Sequence, residues 1–262
     1  MSSMSSKKAY RRENVLAALR RKKALTTGEA AEIIGASECT VRRLFDELEG
    51  EGEAIRVYGG IKFPPSKHAE YQFENLQFSQ SDQKRHIGEY ASRLVENGDI
   101  LFLDTGTTIQ QLALSLVERF KRKELQDVQI FTNSLRNLTI LMHHCEVNLI
   151  GGLFRIKRQD FCGYLSEVVL ESISFEKCFL SADGVNPSDG VMATDIFTAK
   201  INQIVSRRAR GVYLLADSTK FVRRSFIKYA ALEDLKMIVT DAGIPASVEE
   251  ELAALGPIIR KI

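Results

Sequence analysis

Small polar residues follow an apolar run in the middle of this chain and precede a helical pattern. The run is Ile100–Leu103, and the residues after it are Asp104, Thr105, Gly106, Thr107 and Thr108. Free N–H groups and the dipole at the start of a helix attract anions, and threonine hydroxyls add hydrogen bonds. This order of residues predicts an anion-binding turn, although Thr107 or Thr108 acting only as a helix cap would give the same local pattern.

Similar residues follow the later apolar runs, which strengthens the prediction of a binding site. Carboxyl ends of parallel strands meet at one edge of a sheet, where open α/β sheets bind ligands. Glycines allow a ligand close to the backbone, hydroxyl and amide groups suit phosphate or sugar oxygens, and aspartates accept hydrogen bonds from sugar hydroxyls. The further candidates are Asn133, Ser134, Gly151, Gly152, Asp183, Gly184 and Lys220. We predict a phosphorylated sugar or related metabolite as the ligand, with Lys220 as the cation for its phosphate. An isolated lysine in a solvated loop is the alternative for Lys220, and some of the other residues serve only in turns.

The elements that position these residues alternate between short apolar runs and helical patterns from residue 82 to the end of the chain. This alternation predicts an α/β fold, with a mainly parallel sheet covered by helices. The helix before the first run is predicted to be capped by Asp82 and to end at Asn97 and Gly98.

The N-terminal part of the chain has a different pattern and an excess of basic side chains up to residue 44. Thr26 and Glu29 have the spacing of a capping box, Gly35 suits the end of that helix, and Ser37 is placed to cap the next one. Two short strands around Gly59 follow, with Ile55 and Val57 predicted to face the helices. This order predicts a helix-turn-helix followed by a wing, which binds DNA through its second helix. A protein-interaction module with a hairpin is the alternative.

The period of an α-helix places Val41, Leu44, Phe45 and Leu48 on one face, which we predict to be buried. Residues on the other face of that helix, on the first helix and on the wing are then the candidates for contact with double-stranded DNA. They are Arg11, Arg12, Ser37, Glu38, Cys39, Thr40, Arg42, Arg43, Arg56, Tyr58, Gly59 and Gly60.

Composition limits the remaining classes of function. The 262 residues carry a net charge of +2 and include no apolar run of membrane-spanning length and no signal-peptide pattern, which favours a cytoplasmic protein without a membrane partner. The four cysteines are far apart in the sequence, and we expect neither disulfides, nor a metal site, nor a cofactor. Pro64 and Pro65 mark a boundary, so we predict a DNA-binding domain over 7–65, a linker over 66–81 and an effector-binding domain over 82–262.

Two sets of residues resemble the DeoR family of bacterial transcriptional regulators. The matches to its winged helix-turn-helix are Ser37, Thr40, Val41, Arg42, Arg43, Leu48, Glu49, Arg56, Gly59 and Gly60. The segments LDTGTT, FTNS, LIGG, SADGV, LLADSTKF and IVTD are similar to successive motifs of its sensor domain. Leu44 and Phe45 depart from the family pattern, which usually has Asp and Leu there.

The resemblance implies a sensor fold similar to ribose-5-phosphate isomerase and CoA-transferase domains. It also implies an oligomeric repressor, a dimer or tetramer, that a phosphorylated metabolite releases from its operator. We therefore predict a regulator of carbohydrate or nucleoside metabolism genes with no catalytic residues. The alternative is an isomerase-like enzyme with an attached DNA-binding module, in which Asp183 and Lys220 would supply acid–base chemistry.

Overall fold

The computed structural model describes residues 2–22, 24–50, 54–57, 59–62, 80–223 and 225–262. Its contacts divide the chain into two compact units, Met1–Glu70 and Tyr71–Ile262. Residues 66–79 of the predicted linker lie outside the described residues, as does Tyr58.

The N-terminal unit combines three helices with a small antiparallel sheet. Its elements are α1 (Ser2–Lys22), β1 (Ala24–Thr26), α2 (Thr27–Ile34), α3 (Glu38–Gly50), β2 (Ile55–Val57) and β3 (Gly60–Lys62). The sheet order is β1-β3-β2, so the two predicted wing strands gain a third partner from the segment before α2. The predicted winged helix-turn-helix is confirmed.

Local chemistry accounts for the turns of this unit. Thr26 and Glu29 form the predicted capping box, and Gly35 ends α2 in the left-handed conformation with φ of 57°. Ser37 Oγ accepts a hydrogen bond from the backbone N–H of Thr40 at 3.4 Å. The predicted face of α3 is buried, but the prediction that Val57 faces the helices is wrong: Val57 is exposed, and Ile61 of β3 fills the core instead.

The larger unit alternates strands and helices as predicted. Its first half contains α4 (Ser81–Ser92), β4 (Ile100–Leu103), α5 (Thr107–Lys121), β5 (Gln129–Thr132), α6 (Leu135–Leu141), β6 (Val147–Leu149), β7 (Leu153–Arg155), β8 (Asp160–Cys162) and α7 (Tyr164–Glu171). Its second half contains β9 (Phe175–Ser181), β10 (Gly184–Asn186), β11 (Gly190–Ala193), α8 (Ile196–Arg208), β12 (Ala209–Leu215), a 3₁₀ turn (Ser218–Lys220), β13 (Ile227–Ala230), β14 (Met237–Thr240), α9 (Ala246–Ala254) and β15 (Ile258–Lys261).

A seven-stranded parallel sheet of order β15-β14-β12-β9-β4-β5-β6 forms the centre of this unit. Both faces of the sheet are covered, one by a core around Phe102 and Phe175 and the other by a core around Leu101 and Phe179, and the central strands accordingly contain apolar runs such as Ile100–Leu103. The predicted α/β class is therefore confirmed. Strand β15, the hairpin of β7 and β8, and the antiparallel sheet β10-β11-β13 are additions to the predicted architecture.

Helix ends differ from the predictions at two places. Gln80, with φ of 55°, precedes α4 and Asp82 lies in its first turn without capping it. That helix ends at Ser92 rather than at Asn97 and Gly98.

A close crossing of α4 and α5 generates our first testable prediction, Gly88→Ala. A Cβ at position 88 would lie 2.5 Å from the backbone carbon of Gln111, so the two helices would have to move apart. We expect a loss of about 2–3 kcal/mol in the free energy of unfolding, despite the better helix propensity of alanine. Urea denaturation measures this loss of stability, and His86→Ala, at an exposed position of the same helix, is the control. Equal stability of both variants would contradict this packing.

Candidate functional site

A cleft lies at the carboxyl ends of β4, β9 and β12. Turns after the strands, α8 and the turn between β7 and β8 contribute its walls. The lining residues are Thr105, Gly106, Thr107, Thr108, Arg158, Ser181, Ala182, Asp183, Ala193, Thr198, Leu215 and Lys220. Six residues from the sequence-based list lie here together: the four from Thr105 to Thr108, Asp183 and Lys220.

The N-terminus of α5 opens into this cleft without a side-chain cap. Gly106 is its N-cap, with φ of 108°, and the first intrahelical bond runs from the N–H of Gln110 to Gly106. Thr107 and Thr108 are the first two helical residues, so neither is the cap that the alternative interpretation required. Backbone N–H groups that precede the first helical hydrogen bond are donors suited to an anion.

Arg158, from the turn between β7 and β8, contributes a second cation to the cleft wall in addition to Lys220. Its guanidinium lies 3.0 Å from Asp195 and 3.5 Å from Asp183, and it donates to the hydroxyl of Thr194 at 2.7 Å. Asp183 also accepts hydrogen bonds from the N–H and hydroxyl of Thr194, each at 2.8 Å. These contacts fix a carboxylate and a guanidinium side by side, a pair suited to hydroxyl and anionic oxygens.

Arg155 anchors the turn that carries Arg158. It contacts Asp160 on the neighbouring strand at 2.5 Å and Asp195 at the start of α8 at 2.6 Å. Burial alone would lower the pKa of Arg155, but the hydrogen bond and charge of Asp160 raise it above its usual range. The hairpin of β7 and β8 is therefore held against α8 by a half-buried, permanently charged group.

Asp104 lies beneath the cleft rather than in it. Its Oδ2 accepts hydrogen bonds from the N–H of Ser181 at 3.0 Å and from Asn202 at 3.1 Å, and the Ser181 hydroxyl is 2.8 Å away. Burial raises the pKa of Asp104 to about 6, against the lowering effect of these hydrogen bonds. This carboxyl connects the ends of β4 and β9 to α8.

Lys84 is a functional candidate that the sequence analysis missed. This residue of α4 is 4% exposed, and burial lowers its pKa to about 8, with the charge of Asp217 acting to raise it and that of Lys220 to lower it further. The charges of Asp217 and Lys220 act on it, which places it near the turn that carries Lys220, although Lys84 is not among the residues that line the cleft. The only sequence signal was its position three residues before the apolar face of α4, which is too common a pattern to single it out.

The other predicted binding residues lie outside the cleft lining. Asn133 donates to the carbonyl of Phe161 at 2.9 Å, and Ser134 caps α6. Gly152 has no room for a Cβ, which would lie 2.4 Å from Ser166 Oγ. The carbonyl of the neighbouring Gly151 accepts a hydrogen bond from the same Ser166 hydroxyl. Gly184 is equally constrained, because an added Cβ would lie 2.5 Å from the backbone oxygen of Arg223. Asn133, Ser134 and these three glycines therefore support the strand ends.

On α3, the residues predicted to contact DNA form an exposed surface. Ser37, Glu38, Cys39, Arg42 and Arg43 are exposed and Thr40 is half-buried, with Arg42 3.2 Å from Glu38. Such weakly held surface ion pairs leave the arginines accessible to phosphates and base edges.

The candidates on α1 and the wing are more enclosed. Arg11 and Arg12 are half-buried. Arg56 lies 3.4 Å from Asp46, with its guanidinium 5.4 Å above the ring of Phe45, and therefore packs the wing against α3. Gly59 is exposed with φ of 75°. Gly60 is buried, and a Cβ at this position would lie 2.2 Å from the backbone oxygen of Leu25, so a larger residue would not fit there.

The raised pKa of Asp104 generates a second prediction, on pH dependence. The carboxyl favours folding when protonated, so its contribution is present below pH 3.8 and is lost as the pH rises through about 6. Relative to Asp104→Asn, wild-type stability should fall by about 3 kcal/mol between pH 3.5 and 7. Urea unfolding across this range measures the difference, and the exposed Asp189→Asn is the control whose curve should parallel the wild type. A pH-independent difference between wild type and Asp104→Asn would contradict it.

Family models match both units of the chain. The DeoR-like helix-turn-helix domain matches residues 11–67, and the DeoR C terminal sensor domain matches residues 79–242. None of the helices in the described ranges has the length and apolar character needed to cross a bilayer.

Curated relatives are similar over most of their length. The HTH-type transcriptional regulator IolR of Bacillus subtilis is 32% identical over 81% of this chain and 82% of its own. The Lactose phosphotransferase system repressor of Streptococcus mutans is 32% identical over 90% of this chain and 92% of its own.

Among solved structures, ribose 5-phosphate isomerase A of Methanocaldococcus jannaschii has 20% identity over 55% of each chain, with a TM-score of 0.42, too low for a functional argument. The family models and curated relatives confirm the prediction of a transcriptional regulator rather than an enzyme. The chain belongs to the DeoR family of DNA-binding transcriptional regulators.

Proposed function

We propose that this regulator is a repressor of carbohydrate-related genes whose DNA affinity is controlled by a phosphorylated sugar bound in the cleft. The observation that carries the proposal is the uncapped N-terminus of α5 opening into a cleft that also contains Lys220 and Arg158. The curated relatives named as a sugar-system repressor and as a transcriptional regulator agree with this class of function.

The phosphate is proposed to bind at the N-terminus of α5. Thr107 and Thr108 offer backbone N–H groups and hydroxyls, and their side chains line the cleft. Lys220 supplies a positive charge from the 3₁₀ turn, and Lys84 supplies a second from α4. Charge-assisted hydrogen bonds of this kind are about twice as strong as neutral ones.

The hydroxyl groups of the sugar are proposed to bind on the opposite wall. Asp183 accepts hydrogen bonds and Arg158 donates them, and the Thr198 hydroxyl, which donates to Asp195 at 2.8 Å, can accept one more. Because Arg158 already contacts Asp183 and Asp195, a ligand must offer oxygens that replace part of these contacts. This requirement favours a polyhydroxylated anion over inorganic phosphate.

DNA binding is proposed to use the exposed surface of α3. The N-terminal residues of a recognition helix contact base edges in the major groove, and flanking arginines contact bases or phosphates. Because helix-turn-helix proteins bind paired half-sites, we propose that the chain acts as a homo-oligomer. Ligand binding would favour a sensor state with different operator affinity, as a population shift. Chromosomal DNA as the partner makes the cytoplasm the proposed location.

Substitution of the two lysines tests the ligand site. Lys220→Ala and Lys84→Ala should each weaken sugar-phosphate binding by roughly 10- to 100-fold, because each removes a charged hydrogen bond worth about 1.5–3 kcal/mol. Thermal shift and calorimetry with pentose and hexose phosphates measure this, with unphosphorylated sugars as ligand controls. Lys121→Ala, at the far end of α5, is the matched protein control. Unchanged affinity in both lysine variants would contradict the phosphate site.

The pH dependence separates the two lysines. Because the pKa of Lys84 is about 8, wild-type affinity should fall between pH 7 and 9 as this amine loses its proton, while the phosphate remains a dianion with a second pKa of about 6. Lys84→Ala should show a smaller fall over the same range, measured by calorimetry.

Substitution on α3 tests the DNA surface. Arg42→Ala should weaken binding to DNA selected by the protein from a random pool by roughly 10- to 100-fold, which corresponds to about 1–3 kcal/mol for one base or phosphate contact. Fluorescence anisotropy measures the affinity, and Arg122→Ala in the sensor unit, also exposed, is the control. Sugar-phosphate affinity should be unchanged in Arg42→Ala. Wild-type DNA affinity in this variant would show that α3 is not the recognition helix.

A further inference from the structure

Helix α7 has an apolar outer face. Tyr164 is 78% exposed, Leu165 68% and Val168 50%, whereas Ser166 and Leu170 point into the unit and are buried. Surface helices of globular proteins normally have polar outer faces, whereas the outward side of α7 is apolar apart from Glu167 and Glu171. The composition of α7 therefore indicates that another surface packs on it.

Neighbouring elements extend this surface. Leu153 and Ile156 of the β7–β8 hairpin are 61% and 75% exposed, and the Cβ of Leu153 lies 3.9 Å from the Cβ position of Gly163, directly before α7. Arg155 joins the same hairpin to Asp195, the N-cap of α8. The next residue, Ile196, is 63% exposed, so three adjacent elements each present large apolar side chains.

We propose that this apolar face, defined as Leu153, Ile156, Tyr164, Leu165, Val168 and Ile196, is the surface through which two copies of the chain pair. The inference rests on the proposed function in one respect: within the described residues each chain presents one recognition helix, and paired half-sites require two. The partner is therefore a second copy rather than an unrelated protein.

The size and chemistry of the face fit a symmetric pair. The six residues together expose roughly 800 Å² per chain, which matches the area of about 800 Å² that each partner buries in an interface of standard size. In a two-fold interface the same patch occurs on both sides, so like charges would meet near the axis. None of the six defining side chains is charged, and a phenol can donate to a carbonyl of the other copy.

Sedimentation of the full-length protein tests the proposal. The double variant Leu165→Glu with Val168→Glu places four unpaired carboxylates in the paired interface. We expect the dissociation constant to rise by at least 100-fold, so that the species at micromolar concentration has half the wild-type mass or less. Leu114→Glu, a substitution of the same kind at a 43% exposed position of α5 outside the face, should leave the mass unchanged. Circular dichroism and thermal melting establish that both variants are folded.

Three outcomes decide the matter. A folded double variant with the wild-type mass would overturn the pairing surface, and so would a wild-type chain that is monomeric at every concentration, which would leave the face to a different partner. A wild-type chain that pairs through this face but shows no thermal shift with sugar phosphates would support the surface and contradict the ligand proposal. Failure of the two proposals is therefore distinguishable.

Discussion

The buried carboxyl of Asp104 holds the ends of the two central strands against the helix behind them. It accepts hydrogen bonds from the backbone of Ser181 and from Asn202 of α8, in a place from which water is excluded. A buried carboxyl destabilises the fold when it ionises, and these hydrogen bonds to its oxygens offset only part of that cost, because the pKa of Asp104 is still raised. The cleft is shaped by that constraint, because Ser181 and the turn after Asp104 are themselves part of its lining.

The sequence predicts those parts of the cleft that consecutive residues form. Thr105 to Thr108 follow one strand, and the rule that parallel strands end at a common edge places them with Asp183 and Lys220. Periodicity likewise predicts the alternation of strands and helices and the buried face of α3. Arg158 and Thr198 were missed because they come from a hairpin turn and a helix, and tertiary contacts of Arg155 and of Arg158 itself bring them to the same edge. Asn133 and Gly152 have the expected residue types, but their hydrogen bonding and close packing serve the scaffold, which no local pattern distinguishes from binding.

Charge in the cleft is arranged as opposed pairs rather than as a uniform positive field. Arg155 and Arg158 both contact Asp195, and Arg158 also contacts Asp183. The charge of Arg158 keeps the pKa of Asp195 below its usual value, although burial acts in the opposite direction and is the larger single effect. Such internal pairing satisfies buried charges, and under the proposed function it would discriminate against simple anions that cannot replace both partners of an existing contact.

The hairpin from Leu153 to Cys162 belongs to two surfaces at once. Its turn supplies Arg158 to the cleft, and its strands supply apolar side chains to the face proposed for pairing. Thermodynamic linkage makes any influence between such sites reciprocal. If ligand binding changes the tendency to associate, association must change the ligand's apparent affinity by the same factor, so titrations performed at nanomolar and micromolar protein would return different constants.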